Sequence, residues 1–589
     1  MTTRVSRSPA ESPAVMVSVA LPMTVTRVDL ERPGDAPPIG TRGRAPSVGA
    51  ALMLLALVGG VAPIAYAWHF GALGIPRNDD WAYAPAAFQF AHSLKVTGGN
   101  WAAMNLVGQL VLSFPVVSLF GNRIAALQIE VAAIGVVGLL ATFDLARQLL
   151  SPRRALFVAI LVAALPMWAS LSTSYMTDVP SYALVMTSLA LGTRAVSRTT
   201  VRAGYFSGSL AVGLLAFTVR ENGVVAPLAV SAATVWLAAR RPRSRLSPII
   251  AWIFGFVASA GLFYVWRRSL AGFVNAAPRA PSLSRLELAA HVSLQAGLLV
   301  GLLVSPAVVL ANPWRLLRVA WARAPRVTVG AAAVTAGLFA AAILRPGHPR
   351  GVLGPGDYVL PNGSLGTEML KGVRPNLFPT PILAALTIIG VSALTVIVCA
   401  GAAAVAKRVS AVLRRQPSTS PSPAFVIVAL AAFGYSIGCL LAVALGYSRL
   451  FDRYLLPIVP LVAILALRTC PPSVTAPRRV RIAGCMTLAV LAAVGAIYGT
   501  NSASFDGAKW RVASDAVKLA GDPKLVDGGH VWNDYQAGRH VRGRFRGACI
   551  VLRAGPKPTT RDTSVVGLAS VWGLNGTQVW IVARQQRPC

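Results

Sequence analysis

Apolar runs of roughly 18–25 residues recur along the chain, separated by short polar segments. A bilayer core about 30 Å thick demands helices of about that length. Many such runs predict a polytopic α-helical membrane protein. The alternating segments of about ten residues that mark a transmembrane barrel are absent. The first run is Val48–Phe70 and the last ends at Tyr498. Between them the pattern predicts about 13 transmembrane helices. Two pieces after the first span depart from the pattern: "WAYAPAAFQFAHSL" and "MNLVGQLVLSFPVVSLF". The second carries Asn105, Gln109 and Pro115 and lacks flanking cations. Both are predicted to lie at the membrane interface as helices in the first external loop.

Charge orients this array. The mean hydropathy is +0.61 and only 13% of residues are charged, yet the net charge is +35. Arg clusters such as "RQLLSPRR", "RRPRSRLSP" and "RTCPPSVTAPRRVR" fall in alternate loops. That is the positive-inside habit of a multi-pass plasma-membrane protein, so nucleic acid is excluded as the partner for the surplus. Anionic lipid, or a phosphorylated lipid substrate, is a further use for it. The N-terminus is then cytoplasmic, with residues 1–47 a polar, disordered tail. Residues 48–500 form the membrane domain. Residues 501–589 read as an external α/β domain, with a helix at "AKWRVASDAVKLAG" and strands at "PKLVDGG", "ACIVLRA", "SVVGLASVWG" and "TQVWIVAR". Its two cysteines, Cys549 and Cys589, are either a disulfide or two free thiols.

Acidic residues are few and unevenly placed. Between Asp35 and Asp506 there are ten: Asp79, Asp80, Glu130, Asp144, Asp178, Glu221, Glu287, Asp357, Glu368 and Asp452. Asp144 falls on the cytoplasmic side with Arg147 one turn away, a structural pair. Glu130 lies in the outer half of its span, and the other eight fall at or near the external face. Carboxylates are costly in a membrane and mark function by default. Four motifs carry them: "NDDW" with Asp79 and Asp80, "MTDVP" with Asp178, "RENG" with Arg220 and Glu221, and "FDRYLLPIVP" with Asp452, Arg453 and Tyr454. One of two adjacent carboxylates can be a general base towards a hydroxyl. Each motif also has a plain structural reading: a helix cap for the first two, a local ion pair for the third, an interfacial anchor for Arg453. The loop 345–379 adds Arg345, His348, Arg350, Lys371 and Arg374, cations on the external side that suit a substrate phosphate.

Taken in order and on one topological side, the acidic pair, the two interfacial helices, "TDVP" and "RYLLP" resemble the GT-C superfamily of polytopic membrane glycosyltransferases. Nearest are the bacterial relatives of protein O-mannosyltransferases and lipid A aminoarabinose transferases. The resemblance covers about residues 48–500. It implies transfer of a sugar from a polyprenyl-phosphate donor to an acceptor hydroxyl of a glycan, lipid or protein, at the external face and with inversion. It also implies Asp79 as the catalytic carboxylate, with Asp80 beside it as the alternative base, and Asp178 as a second acidic position. Arg453 and the other external cations would stabilise the leaving phosphate, with Glu221, Asp452 and Tyr454 supporting. "DD" stands where the family often has Asp-Glu. The external domain is not shared across the superfamily, and its Trp532 and Trp572 read either as sugar-stacking platforms or as core. No motif requires a metal or other cofactor, and a divalent cation stays open. The rival readings are a transporter or flippase of a lipid-linked substrate, and a non-catalytic scaffold. The carboxylates gather at one face rather than at the midplane, and no inverted repeat is visible, which disfavours the transporter.

Overall fold

A computed structural model describes residues 47–196, 201–239, 246–274, 280, 282–344, 356, 358–359, 370, 372, 378–414, 422–446, 450–469, 477–541, 545, 547–560, 562–572 and 578–589. The N-terminal tail up to residue 46 lies outside these residues, as do Arg345, His348, Arg350, Asp357, Glu368, Lys371 and Arg374.

The chain enters through α1 (Val48–Ala56), which the Ser47 hydroxyl caps by accepting from the Ala50 amide at 3.2 Å. A single π turn, Leu57–Val61, joins α1 to α2 (Ala62–His69). A π turn disturbs the regular carbonyl ladder, and a buried carbonyl needs a donor. The Trp168 indole N–H supplies one to Gly59 O at 2.9 Å. The two predicted interfacial pieces form α3 (Asp80–Ser93) and α4 (Val107–Phe120). Next come α5 (Ile124–Arg147), α6 (Pro152–Ala163), the short α7 (Trp168–Ser172), α8 (Asp178–Ala195), α9 (Ala203–Val219) and α10 (Val225–Ala239). They are followed by α11 (Leu246–Ser269), α12 (Leu283–Leu310), α13 (Pro313–Arg323), α14 (Pro325–Leu344), α15 (Thr380–Leu413), α16 (Pro423–Ala444) and α17 (Ile458–Arg468). Among the described residues, eight helices are long and apolar enough to cross a membrane, and shorter apolar helices accompany them. Exposed Phe254, Leu262, Ile388 and Phe433 give this bundle an apolar outer wall, as a lipid-facing surface requires.

Small residues let the inner helices close up. A Cβ on Gly138 of α5 would lie 2.9 Å from the Ala183 backbone of α8. Between α8 and α9, the Ser188 hydroxyl donates to Ser209 O at 2.8 Å and the Ser209 hydroxyl to Ser188 O at 2.7 Å. Such reciprocal bonds join helices where burial alone gives little drive. Asp144 is paired by Arg194 as well as by Arg147, which stands 4.0 Å away.

The last span does not end where the predicted soluble helix begins. It continues unbroken as α18 (Arg478–Ala520), so "AKWRVASDAVKLAG" is its final stretch. "GTNSASFDG" is polar and small but contains no proline, so nothing stops the helix until Gly521 adopts a left-handed φ of 76°. Four strands pack on this extension, at the positions expected: β1 (Val526–Asp527), β2 (Ile550–Gly555), β3 (Val565–Trp572) and β4 (Gln578–Gln585). The sheet order is β1-β2-β4-β3, with β1 parallel to β2 and the other pairs antiparallel. Between β1 and β2 lies α19 (His530–Ala537). Trp532 is 3% exposed and meets Trp510 of α18 edge-on at 4.9 Å, so it is core rather than a glycan platform.

Cys549 and Cys589 are disulfide-bonded, closing a loop with a sequence separation of 40. Constraining a loop of that length stabilises by roughly 2–4 kcal/mol. Cys589→Ser is therefore expected to lower the denaturant midpoint of the C-terminal sheet. The measurement is unfolding followed by Trp fluorescence with and without reductant, and the reductant should shift only the wild type.

Candidate active site

The site begins with a buried cation. Arg77 is 1% exposed in the loop between α2 and α3. Its guanidinium donates to Asp506 Oδ2 at 2.9 Å, to Thr173 Oγ1 at 2.7 Å and to Ser502 Oγ at 2.8 Å. Lys509 adds a second contact to Asp506, at 3.4 Å. Asp506 and Ser502 belong to α18, so the C-terminal helix grips the loop that carries the acidic pair. Gly507 makes the approach possible, because a Cβ there would lie 1.9 Å from Phe70 O. Asn78 then turns the chain with φ +49°, a conformation asparagine tolerates better than most residues. Its side-chain amide donates to the Tyr358 hydroxyl.

The turn sends the two carboxylates in different directions. Asp80 is fully buried and accepts from Gln128 Nε2 at 3.2 Å. Gln128 also holds the loop, accepting from the Gly74 amide at 2.8 Å and donating to Ile75 O at 2.9 Å. Burial raises the Asp80 pKa to about 7. Asp79 does not cap α3 with its side chain. Its Oδ1 accepts from the Trp101 indole at 3.0 Å and its Oδ2 from the Tyr83 hydroxyl at 3.4 Å.

Asp79 also faces Arg453, whose Nη2 stands 4.0 Å from Oδ2. The same guanidinium lies 3.8 Å from Asp178 Oδ1. Asp178 opens α8 but makes no side-chain capping bond. Instead it pairs with Arg220, which also donates to Thr177 Oγ1 at 3.3 Å. "RENG" is thus not a local ion pair, since Arg220 reaches back to α8. Gly223 permits this tight turn, because a Cβ there would lie 2.4 Å from the Ala216 carbonyl carbon. Arg220 stacks on Tyr454 at 4.5 Å and Arg453 on Phe451 at 4.9 Å. Four distant motifs therefore meet as two carboxylates and two guanidiniums. Asp452 stands apart from them: it is buried and accepts from the Tyr358 and Val359 amides at 3.1 and 2.7 Å, pinning a piece of the long loop.

A cavity of about 510 Å³ opens beside this cluster. Arg220, Glu221, Tyr454, Arg267 and Arg268 line its polar part, and Val225, Leu445 and Leu450 are among its apolar lining. Arg267 and Arg268 were not singled out from the sequence. The available signal was that "WRR" ends a span predicted to finish on the same side as the acids. Arg267 donates to Ala103 O and Met104 O, each at 2.9 Å, fixing the chain just before α4. The five cations of the long loop lie outside the described residues, so the structure does not place them here. One further cluster went unread in the sequence. His530, Asp534 and His540 converge beside Trp101, with candidate ligand atoms within 4.8 Å of one another.

The fold and site define an α-helical membrane protein with a buried acid–cation cluster beside an amphipathic cavity. Residues 106–266 match the family described as dolichyl-phosphate-mannose-protein mannosyltransferase. The matched segment runs from α4 into α11. It contains Asp178, Arg220 and Glu221, but not Asp79, Asp80 or Arg453. It supports the resemblance to GT-C membrane glycosyltransferases. No curated protein matches the chain. Among solved structures, apo ArnT from Cupriavidus metallidurans is similar at 15% identity, over 91% of this chain and 97% of that one, with a TM-score of 0.37. The archaeal oligosaccharyltransferase AglB from Archaeoglobus fulgidus, in complex with an inhibitory peptide and a dolichol-phosphate, is similar at 16% identity over 83% and 63%, with a TM-score of 0.42. At scores below 0.5 these likenesses leave function to the chemistry of the site.

Asp80 gives a pH test of the site's construction. The native protein holds its proton up to about pH 7, whereas a solvated carboxyl releases it near 3.8. Its contribution to stability is greatest in acid and falls between those values, by at most about 1.4 kcal/mol per pH unit. Asp80→Asn is expected to remove this slope. Chemical denaturation of both proteins from pH 4.5 to 7.5 measures the difference, which should favour the variant increasingly as pH rises.

Proposed function

We infer that the protein is a glycosyltransferase using a polyprenyl-phosphate-linked sugar, with Asp79 as the general base towards an acceptor hydroxyl at the external membrane face. The observation that carries this reading is the placement of Asp79. Its carboxylate is oriented by two donors and stands 4.0 Å from Arg453, in a cluster whose Arg220 and neighbouring Tyr454 line a cavity that joins Arg side chains to apolar walls. A lipid phosphate has that same division into anionic head and apolar tail. The family description names a dolichyl-phosphate sugar, which supports a donor of this class.

In the proposed reaction the acceptor oxygen attacks the anomeric carbon from the face opposite the phosphate. Its proton passes to Asp79. The anomeric carbon–oxygen bond breaks, and its electron pair leaves with the lipid phosphate. A single displacement inverts the anomeric centre. Arg220 and Arg267 face the charge growing on the leaving phosphate, and Arg453 sits between that region and Asp79. Fixed cations in a site partly shielded from water stabilise such charge without reorganising. Asp178 is a positioning residue: it pairs with Arg220 and stands 3.8 Å from Arg453. Asp80, buried on Gln128, anchors the turn rather than taking the proton. The sugar could be a hexose or a pentose.

Asp79→Asn keeps the size of the side chain and removes the base. It is expected to lower kcat by about 10²–10⁴ while the donor KM changes little. Release of polyprenyl phosphate by purified protein, with donor and acceptor supplied, measures this. Equal release by wild type and variant would remove Asp79 from the mechanism. Acceptor-independent movement of lipid, with no release of phosphate, would favour the flippase reading.

A further inference from the structure

The geometry points to a zinc-class divalent metal site built from His530, Asp534 and His540, which clasps α19 against the tryptophans beside Asp79. The inference does not depend on the proposed reaction.

The ligands are brought together by ordinary helix geometry. His530 and Asp534 are one turn apart on α19 and share a face. Gly538 ends the helix in the left-handed region, at φ +64°, and turns the chain so that His540 comes back over that face. Asp534 Oδ2 lies 2.5 Å from His530 Nδ1 and 3.0 Å from His540 Nδ1.

Three features suit this trio to a metal. First, Asp534 is fully buried, where a carboxylate needs compensation, and the two imidazoles beside it are its side-chain partners. Second, the Nδ1 atoms of both histidines face one oxygen of Asp534, and the candidate ligand atoms of the three residues lie within 4.8 Å of one another. Third, the remaining oxygen of Asp534 is already oriented, accepting from the Val541 amide at 2.6 Å. Outer hydrogen bonds of this kind fix a ligating carboxylate.

Two imidazoles and one carboxylate are a nitrogen and oxygen set suited to zinc or its neighbours, which take a fourth ligand such as water. The site's wall is aromatic. Trp101 lies 4.6 Å from the His540 ring and 5.5 Å from His530, and Trp81 stacks on His540 at 6.2 Å. Trp101 is also the residue whose indole N–H donates to Asp79. A bound cation would therefore hold α19 on the indole that orients the Asp79 carboxylate.

The test uses full-length protein in detergent, freed of any polyhistidine tag and stripped with chelator. Titration with cobalt(II) should give intense visible d–d bands at one equivalent, displaced by zinc(II). His530→Gln and His540→Gln, both at partly exposed positions, should each weaken zinc binding roughly tenfold or more. Absence of the bands from wild-type protein would overturn the proposal, without bearing on whether phosphate is released in the transfer assay. So would zinc binding of equal strength in wild type and both variants. If either variant fails to fold, the wild-type cobalt spectrum still decides the matter.

Discussion

Everything at the site hangs from the buried guanidinium of Arg77. It is two residues from Asp79 and three from Asp80, and its bonds reach α18 through Asp506 and Ser502. Removing one partner from such a buried pair costs roughly 3–5 kcal/mol, because the other charge is stranded. The pair therefore forces a choice of register. Once Arg77 is docked, Asn78 must turn, Asp80 must go inward to Gln128, and Asp79 must face Trp101, Tyr83 and Arg453. Adjacent carboxylates are thereby separated into an anchor and a candidate base. The same contact explains why α18 is one long rod: a break near residue 500 would uncouple Asp506 from the loop it holds.

The C-terminal sheet and α19 extend this logic. They do not hang free from the last span. Trp532 and Tyr535 of α19 pack on Trp510 of α18, at 4.9 and 5.7 Å. His530 and His540 meet Trp81 and Trp101 of the α3 region. Gly372 of the long loop forms a β-bridge with Ala554 of β2. The ground around Asp79 is thus shared between the membrane part and the C-terminal part.

The helical membrane architecture and the four strands were legible in the sequence because they depend on local period: apolar runs for the spans, short β-rich runs bounded by Gly and Pro for the strands. The motifs were legible because acids are scarce, so each one stood out. The partners were not. "RENG" placed Arg220 beside Glu221, yet the ion pair forms with Asp178, 42 residues earlier. "NDDW" could not show that its two aspartates part company, since that division comes from Arg77 and from Gln128 on α5. Arg267 ends a span in the sequence, and its place in the cavity follows only from the packing of α11 beside the segment before α4. The His–Asp–His cluster was hidden because its third member returns through a left-handed Gly538, a turn that ligand spacing alone does not reveal.

The central claim is that the cavity beside Asp79 receives a lipid phosphate. A structure of the protein with bound polyprenyl phosphate tests it most directly. The account predicts the phosphate against Arg220 and Arg267, the first isoprene units along Val225, Leu445 and Leu450, and Asp79 open to an acceptor. A phosphate bound away from these arginines, with the cavity empty and Arg453 still facing Asp79, would contradict it.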